Sequence, residues 1–368
     1  MDQLDAVFEG SRPGYIYARY GGPTVATFEA AVADLEGAEA AQAYSSGMAA
    51  LHAALLAAGV RAGRSVVAAY DLYGATFTLL RTLLSELDVQ VVYADVSDLN
   101  SVEMALRAYQ PVALLIETVS NPLLKVADVP SLADLAHRHG VQLLVDNTFA
   151  TPTLFNPLAH GADFVIHSAT KYLAGHGDVL AGVVATSQVN RQKLFELNKL
   201  VGSVLGPFEA WLALRGLKTL SLRTRQQFDN ALEISRWLSR HPRVKRVIYP
   251  GLPDHPQHAL ASRLFGGKGF GGVLSFEVDG DRRAPASGGP ERAAFRFMDA
   301  LQLCLPAATL GDIYTEVLHP ATASHRSLSA AERERIGITD DLVRLSAGIE
   351  AVEDIIADLD QALTEATD

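Results

Sequence analysis

Lys171 stands in SATKYLAGHGD, 25 residues after Asp146 in LLVDNTFATP, and each residue closes or follows a short apolar run. A lysine amine that has lost its proton condenses with an aldehyde, and a carboxylate can pair with a protonated ring nitrogen. Placed together, the two make a clamp for pyridoxal 5'-phosphate (PLP), whose ring accepts electrons once its nitrogen faces an acid. Burial among apolar or cationic groups lowers a lysine's proton affinity and favours the free amine that such chemistry needs. Taken singly, the same residues read as a surface lysine and a helix-capping aspartate.

A phosphate needs its own site. In YSSGMAALHAALLAAG, Ser45, Ser46, Gly47 and Met48 open a strongly helical run. A helix start offers unpaired N–H groups and partial positive charge, and Gly47 lets the backbone come close to an anion. Alone, this would be an ordinary serine N-cap. Ser168 and Thr170 flank Lys171 and bring hydroxyls to the same place. There is no P-loop and no GxGxxG after a strand, which argues against a nucleotide-binding fold. His176 in GHGD and His325 in ASHRSLS lack a second ligand at metal spacing, so both are expected to be hydrogen-bonding structural residues, with no metal.

These residues need elements to hold them. From about residue 44 to 187, β-rich runs (SVVAAY, VQVVYA, PVALLIET, VQLLVDN, ADFVIHS, AGVVATS) alternate with helical patterns such as ATFTLLRTLLSEL and VPSLADLAHRHG. Runs that are apolar on both faces predict strands covered by helices on each side. Their alternation with helices predicts an α/β fold with a doubly wound, mostly parallel sheet. Ligands of such sheets sit beyond the carboxyl ends of the strands, where Glu117, Asp146 and Ser168 all fall.

The pattern changes after residue 206. One or two long helices to about His241 carry Trp211, Leu214, Leu217, Phe228 and Trp237 on an apolar stripe, expected to pack in a core or between domains. Beyond them, VKRVIYPG, GGVLSFEVDG, QLCLPAATLG and LVRLSAGIE predict the antiparallel strands of a smaller α+β domain. DGDRRAPASGGPERA predicts an exposed loop. The division expected is an N-terminal arm and intersubunit segment (1–43), a large domain (44–206), a connecting helix (207–241) and a C-terminal domain (242–368).

Composition narrows the class. The chain has 368 residues, is 49% hydrophobic and 20% charged, and carries a formal net charge of −11. This is the composition of a globular enzyme or binding protein, and the charge argues against nucleic-acid and anionic-membrane partners. A single cysteine, Cys304 in apolar LQLCLPA, excludes an internal disulfide framework and reads as a small core residue. MDQLDAVFEGSRPG lacks the regions of a secretion signal, and no apolar run nears the roughly 20 residues that cross a bilayer, so a cytoplasmic location is expected.

YARYGGPT, SSGMAAL, DLYGAT, ETVSNPLL, VDNTFATP, HSATKYLAGHGD, TLGD, HPATASH and VRLSAGIE follow one another in the order and spacing of a known family. From about residue 15 onward the chain resembles the Cys/Met-metabolism PLP enzymes, among them cystathionine γ-lyase, methionine γ-lyase, cystathionine γ-synthase and O-acetylhomoserine sulfhydrylase. The resemblance implies PLP fold type I, like aspartate aminotransferase. It implies that Lys171 holds PLP as a Schiff base and moves protons, that Asp146 pairs with the pyridine nitrogen, and that Tyr73 stacks on the ring and serves as general acid or base. Gly47, Met48, Ser168 and Thr170 would bind phosphate, with Ser46 among the cofactor contacts and Asn121 on the phenolic oxygen. Tyr17 and Arg19 would reach the phosphate of a neighbouring subunit, making a homodimer with shared sites that assembles further into a tetramer. Arg344 would clamp the substrate carboxylate, for which its planar fork is suited.

Several positions depart from common members. Gly22 stands where YSRxGNPT-type motifs have Asn, and Ala75 replaces the Cys of LYGCT. Thr309 replaces the Ser of SLG but keeps a hydroxyl able to orient Lys171. Tyr314 stands where cystathionine-handling members carry Glu, so a smaller or apolar γ-substituent fits better. The resemblance thus implies γ-elimination on a methionine-like sulfur amino acid, giving thiol, ammonia and 2-oxobutanoate. Cystathionine γ-lyase and a γ-replacement synthase are the alternatives, and HRSLSAAERERIGI resembles the sulfhydrylase branch.

Overall fold

The computed structural model describes residues 2–8, 11–12, 14–279, 290–326 and 328–367. Seven strands, β1 (Ala40–Tyr44), β2 (Ser65–Ala69), β3 (Gln90–Ala94), β4 (Ala113–Glu117), β5 (Gln142–Asp146), β6 (Phe164–Ser168) and β7 (Gly182–Thr186), form one sheet in the order β1-β7-β6-β5-β4-β2-β3. Strands β2 to β6 run parallel; β7 is antiparallel to both β6 and β1. The doubly wound, mostly parallel sheet expected from the strand–helix alternation is therefore present. Side chains alternate between two apolar layers: Leu114, Ile116, Leu143 and Val145 face one, and Ala113, Leu115, Leu144 and Phe164 the other. A strand buried on both faces needs apolar residues throughout, which is why these runs show no polar alternation.

A second sheet contains β8 (Val244–Ile248), β9 (Val273–Val278), β10 (Leu305–Pro306), β11 (Glu316–Leu318) and β12 (Leu342–Ser346), in the order β10-β11-β12-β9-β8. All its pairings are antiparallel except β10 with β11. The largest apolar cluster is continuous across both sheets, taking in Val165 and Val183 of the first and Phe276 and Leu345 of the second.

Some expectations need correction. The sheet does not begin at residue 44: Pro23–Glu36 is a helix and Ala40–Tyr44 an edge strand. The edge strand was missed because AAQAY is short and alanine-rich. Strand β11 escaped for a similar reason, since three residues cannot display a period. The 207–241 segment is two helices, Pro207–Leu217 and Leu220–Leu238. Trp211 is not core in this chain; it is 50% exposed and stacks on Phe208 at 5.9 Å. The helix Val129–Arg138 starts with Pro130 in its first turn, and Asp128 caps it by accepting from the Ser131 amide at 3.4 Å. Of the stretch 279–293, residues 280–289 lie outside the described residues, and from Pro290 the chain is helical. Cys304 is buried, as expected. Among the described residues no helix is long and apolar enough to cross a membrane.

Two devices hold the strand ends and the lysine loop. Behind β4, β5 and β6, Thr118 Oγ1 donates to Asn147 Oδ1 at 2.7 Å, Asn147 Nδ2 donates to Glu36 Oε1 at 3.0 Å, and His167 Nε2 meets the same oxygen at 2.5 Å. This network is buried, so each member keeps its geometry or loses a bond that water cannot replace. After Lys171, the buried Arg223 gathers the chain: Nη1 donates to Tyr172 O at 2.9 Å, Nη2 to Gly216 O at 2.9 Å, and Nε to Thr219 Oγ1 at 3.1 Å. Gly175, at φ +68°, must be glycine twice over, because a Cβ there would also lie 1.8 Å from Arg223 Nη1. Replacing Arg223 with Ala strands several buried carbonyls and is expected to cost about 2–4 kcal/mol of unfolding free energy. Denaturant titration checks this, and an unchanged midpoint would contradict it.

Candidate active site

Beyond the carboxyl ends of β4, β5 and β6 lies a cavity of about 390 Å³. Of the residues singled out in the sequence, Ser46, Gly47, Met48, Tyr73, Asn121, Asp146, Ser168, Thr170, Lys171, Thr309 and Arg344 all line it. They come from five segments of the large sheet's side and two of the small sheet's, so the cavity is a seam between the sheets.

One wall carries the carboxylates. Glu117 and Asp146 end adjacent parallel strands in register with each other. Glu117 accepts from the amides of Tyr73 at 2.7 Å and Asn121 at 3.2 Å. Burial first, then the neighbouring Asp146 charge, push its proton affinity well above the usual carboxylate range. Asp146 is raised too, chiefly by burial; its hydrogen bonds from Thr148, whose amide lies 3.0 Å from Oδ1, and the His167 ring work in the other direction. Of the cavity's two cations, neither donates to Asp146. A buried carboxylate with little cationic compensation suits a ligand that brings a positive N–H.

The start of the helix Gly47–Ala57 forms another part of the wall. Ser46 caps it by accepting from the Ala49 amide at 3.1 Å, and this leaves the first amides, Gly47 and Met48, without intrahelical acceptors. The backbone here is tightly enclosed. A Cβ on Gly47 would sit 2.8 Å from Ser168 Cβ, and one on Gly182 would sit 2.1 Å from Ser46 O. Ser168 is held by its amide, which donates to Thr148 Oγ1 at 2.9 Å. Thr170 Oγ1 both donates to Ala181 O and accepts from its amide, at 3.2 and 3.0 Å.

Opposite the acids stand the cations. Lys171 Nζ donates to Thr309 Oγ1 at 2.7 Å, so the threonine hydroxyl does orient the lysine. Burial, and then the nearby Arg344 charge, bring the lysine down to about 8. The guanidinium of Arg344 is buried; it donates to Asn121 Oδ1 at 3.1 Å and Thr309 O at 2.7 Å, while its Nε has no hydrogen-bond partner among the described residues. A buried N–H without an acceptor is costly, and a carboxylate would satisfy it.

Three residues lie elsewhere. Tyr17 is 55% exposed on the chain before the turn Ala18–Tyr20. Arg19 bonds the Lys199 carbonyl and lies over the Tyr17 and Tyr20 rings at 5.2 and 5.1 Å. Neither reaches this chain's own cavity. Tyr314, expected beside the substrate, is 50% exposed and outside the cavity wall, because the chain bends away after Gly311 before entering β11. Conversely, Glu117, Thr148, Phe149, Leu318 and Ser324 line the cavity without having been assigned a role. Glu117, Thr148 and Ser324 were within reach, since they sit in ETVSNPLL, VDNTFATP and HPATASH; Leu318 arrives only through the second sheet. His176 Nδ1 bonds Ala174 O at 2.6 Å and His325 Nδ1 bonds Ser324 Oγ at 2.9 Å, in the structural manner expected of them.

A paired-acid wall, a glycine-lined helix start and a half-buried lysine of lowered proton affinity fit an aromatic aldehyde phosphate with a basic ring nitrogen. Comparison with known proteins agrees. The family model for the Cys/Met metabolism PLP-dependent enzymes matches residues 1–364. The chain is 43% identical to an L-methionine γ-lyase of Fusobacterium nucleatum subsp. polymorphum, covering 95% of this chain and 86% of that one. It is 42% identical to an O-succinylhomoserine sulfhydrylase of Pseudomonas aeruginosa, covering 97% and 86%. A crystal structure of cystathionine γ-synthase from Xanthomonas oryzae pv. oryzae with cystathionine superimposes with a TM-score of 0.90 at 39% identity, covering 97% and 89%. The fold is PLP fold type I, and the chain belongs to the Cys/Met-metabolism PLP-dependent enzymes, the lyases and synthases of trans-sulfuration.

Proposed function

We propose that the protein is a γ-lyase for a sulfur amino acid, methionine-like before cystathionine-like. One observation carries this reading: among the described residues the cavity's charged side chains are Lys171, Arg344, Glu117 and Asp146, and the rest of its wall includes Leu51, Val119, Leu180, Ala308, Leu318 and Ala323. Arg344 suits the substrate's α-carboxylate, and both acids stand together at the strand ends. No carboxylate is left for a distal ammonium, so an apolar thioether fits better than cystathionine. Burying such a group is worth about 0.8 kcal/mol per CH₂.

In this reading PLP, when bound, supplies an electron sink that stabilises negative charge at the substrate's α-carbon. The chain does the rest. Asp146 would pair with the ring nitrogen, the Gly47 and Met48 amides with Ser168 and Thr170 would hold phosphate, Asn121 would contact the phenolic oxygen and Tyr73 would stack on the ring. Lys171 Nζ, held by Thr309, takes the α-proton and moves protons on the β-carbon; Tyr73 Oη protonates the departing sulfur. The domain division at 44, 207 and 242 belongs to the same proposal. So does a dimer in which Tyr17 and Arg19 serve a neighbouring site, a role supported by the exposure of Tyr17 and by neither residue lining this chain's own cavity.

A γ-replacement synthase is the second reading, favoured by near-equal identity to the sulfhydrylase and the lyase. Product analysis separates the two. L-methionine is expected to yield methanethiol, ammonia and 2-oxobutanoate. Conversion of an O-acylhomoserine plus sulfide to homocysteine, with no oxo acid from methionine, would replace the lyase reading.

The lysine makes a second forecast. Its free amine becomes the major form above about pH 8 rather than above the ordinary lysine value. Cofactor-free protein should therefore take up PLP at a rate that climbs about tenfold per pH unit to about pH 8 and then levels. Stopped-flow absorbance reads this, and a climb continuing to pH 10 would refute the lowered proton affinity.

A further inference from the structure

Glu316 has no part in the chemistry above, yet it is buried directly behind it. It sits on β11 opposite Ser346 of β12, while Leu318 sits opposite Arg344. Residues two apart on a strand face the same side, so Glu316, Ser346, Leu318 and Arg344 share one face, and Glu316 is the diagonal neighbour of Arg344. Leu318 and Arg344 line the cavity; Glu316 lies one pair deeper, 5% exposed. Its Oε2 is buried with no hydrogen-bond partner among the described residues, and so is Arg344 Nε. No ion pair joins them: Arg344 donates its terminal nitrogens to Asn121 and Thr309 instead.

A carboxylate in such a place is costly unless it answers nearby positive charge. The charged and titratable groups that act on it are Asp312 on the loop before β11, Lys171 on the loop after β6, and Arg344 on β12. Tyr172, next to Lys171, feels Glu316 and Arg344 in its turn. Two cations and two acids thus share one dry cluster, and Lys171 is raised by Glu316 and Asp312 while Arg344 lowers it.

We propose that Glu316 is a positioning residue that acts through Lys171 and Arg344, its buried carboxylate setting how readily Lys171 carries a proton. It touches neither the cavity nor the reacting atoms, and it works by charge. Glu316 itself is lifted to about 7, by burial first and by Asp312 next. Around neutral pH it therefore changes charge, and Lys171 loses support for its proton as Glu316 gains one. The assignment rests on the reading of Lys171 as the cofactor's lysine.

Holoenzyme in which PLP is bound reports the lysine nitrogen's protonation through the pH dependence of the cofactor's visible absorbance. Removing an anion disfavours the protonated nitrogen, so Glu316→Gln should move the midpoint down by about one pH unit. Glu316→Asp, which keeps the charge, should leave it within about 0.3 unit of the unaltered protein, a shift small beside one charge's effect. A Gln midpoint that does not move overturns the proposal. So does an Asp midpoint as low as that expected for Gln, because packing and not charge would then be responsible; if the Gln variant does not fold, Glu316→Ala takes its place as the charge-removing variant, with the same downward shift expected and an unmoved midpoint overturning the proposal. Lys171→Ala is run alongside: if it retains the same pH-dependent absorbance, the reading of the lysine has failed, which is a separate result from an immobile midpoint in the Gln variant.

Discussion

A lysine amine half-buried at the seam between two sheets is the constraint on which the rest of this structure depends. Lys171 leaves the end of β6 in the large sheet, yet its nitrogen is held by Thr309 from the loop leading to β11 in the small one. Withdrawn from water and set near Arg344, the amine cannot hold its proton as a surface lysine does. Keeping it there requires that the loop after it be pinned and that the two sheets stay in fixed relation. Arg223, reaching three segments at once, does the first, and the apolar cluster shared by Val165, Val183, Phe276 and Leu345 does the second.

Charge in the cavity is sorted by element. Parallel strands β4 and β5 end together and bring Glu117 and Asp146 to one wall, where the Asp146 charge adds to burial in raising the proton affinity of Glu117. The cations, Lys171 and Arg344, are each fixed by neutral oxygens, and Glu316 lies behind them without a direct ion pair. Acids and cations that are not joined in ion pairs suit a ligand pair carrying a basic ring nitrogen and a carboxylate. A well-paired buried salt bridge in the same space would be stable and chemically idle.

Much of this was legible in the chain because it depends on local patterns. Apolar runs without alternation announced strands covered on both faces, and the residues ending those runs were the cavity's acids and its serine. The cavity-lining residues that the motifs named came from short strings whose side chains act close to where they stand in sequence. What escaped did so for physical reasons. Strands β1 and β11 are too short or too alanine-rich to show a period. Trp211 has an apolar side chain on an amphipathic helix, and nothing in one chain's pattern distinguishes a core position from an exposed one. Tyr314 was placed by its position in a motif, whereas its direction is set by the bend after Gly311. Glu316 looks like a polar residue at the edge of a strand until β12 pairs with it and encloses its side chain.

The central claim is that one lysine, Lys171, anchors the cofactor, and chemical trapping tests it most directly. Borohydride reduction of the PLP-loaded protein fixes the cofactor to its lysine irreversibly, and peptide mass mapping then locates it. A single pyridoxyl group on the peptide containing Ser168-Ala169-Thr170-Lys171 is the result predicted. A pyridoxyl group on any other of the chain's lysines, with Lys171 unmodified, would contradict the account.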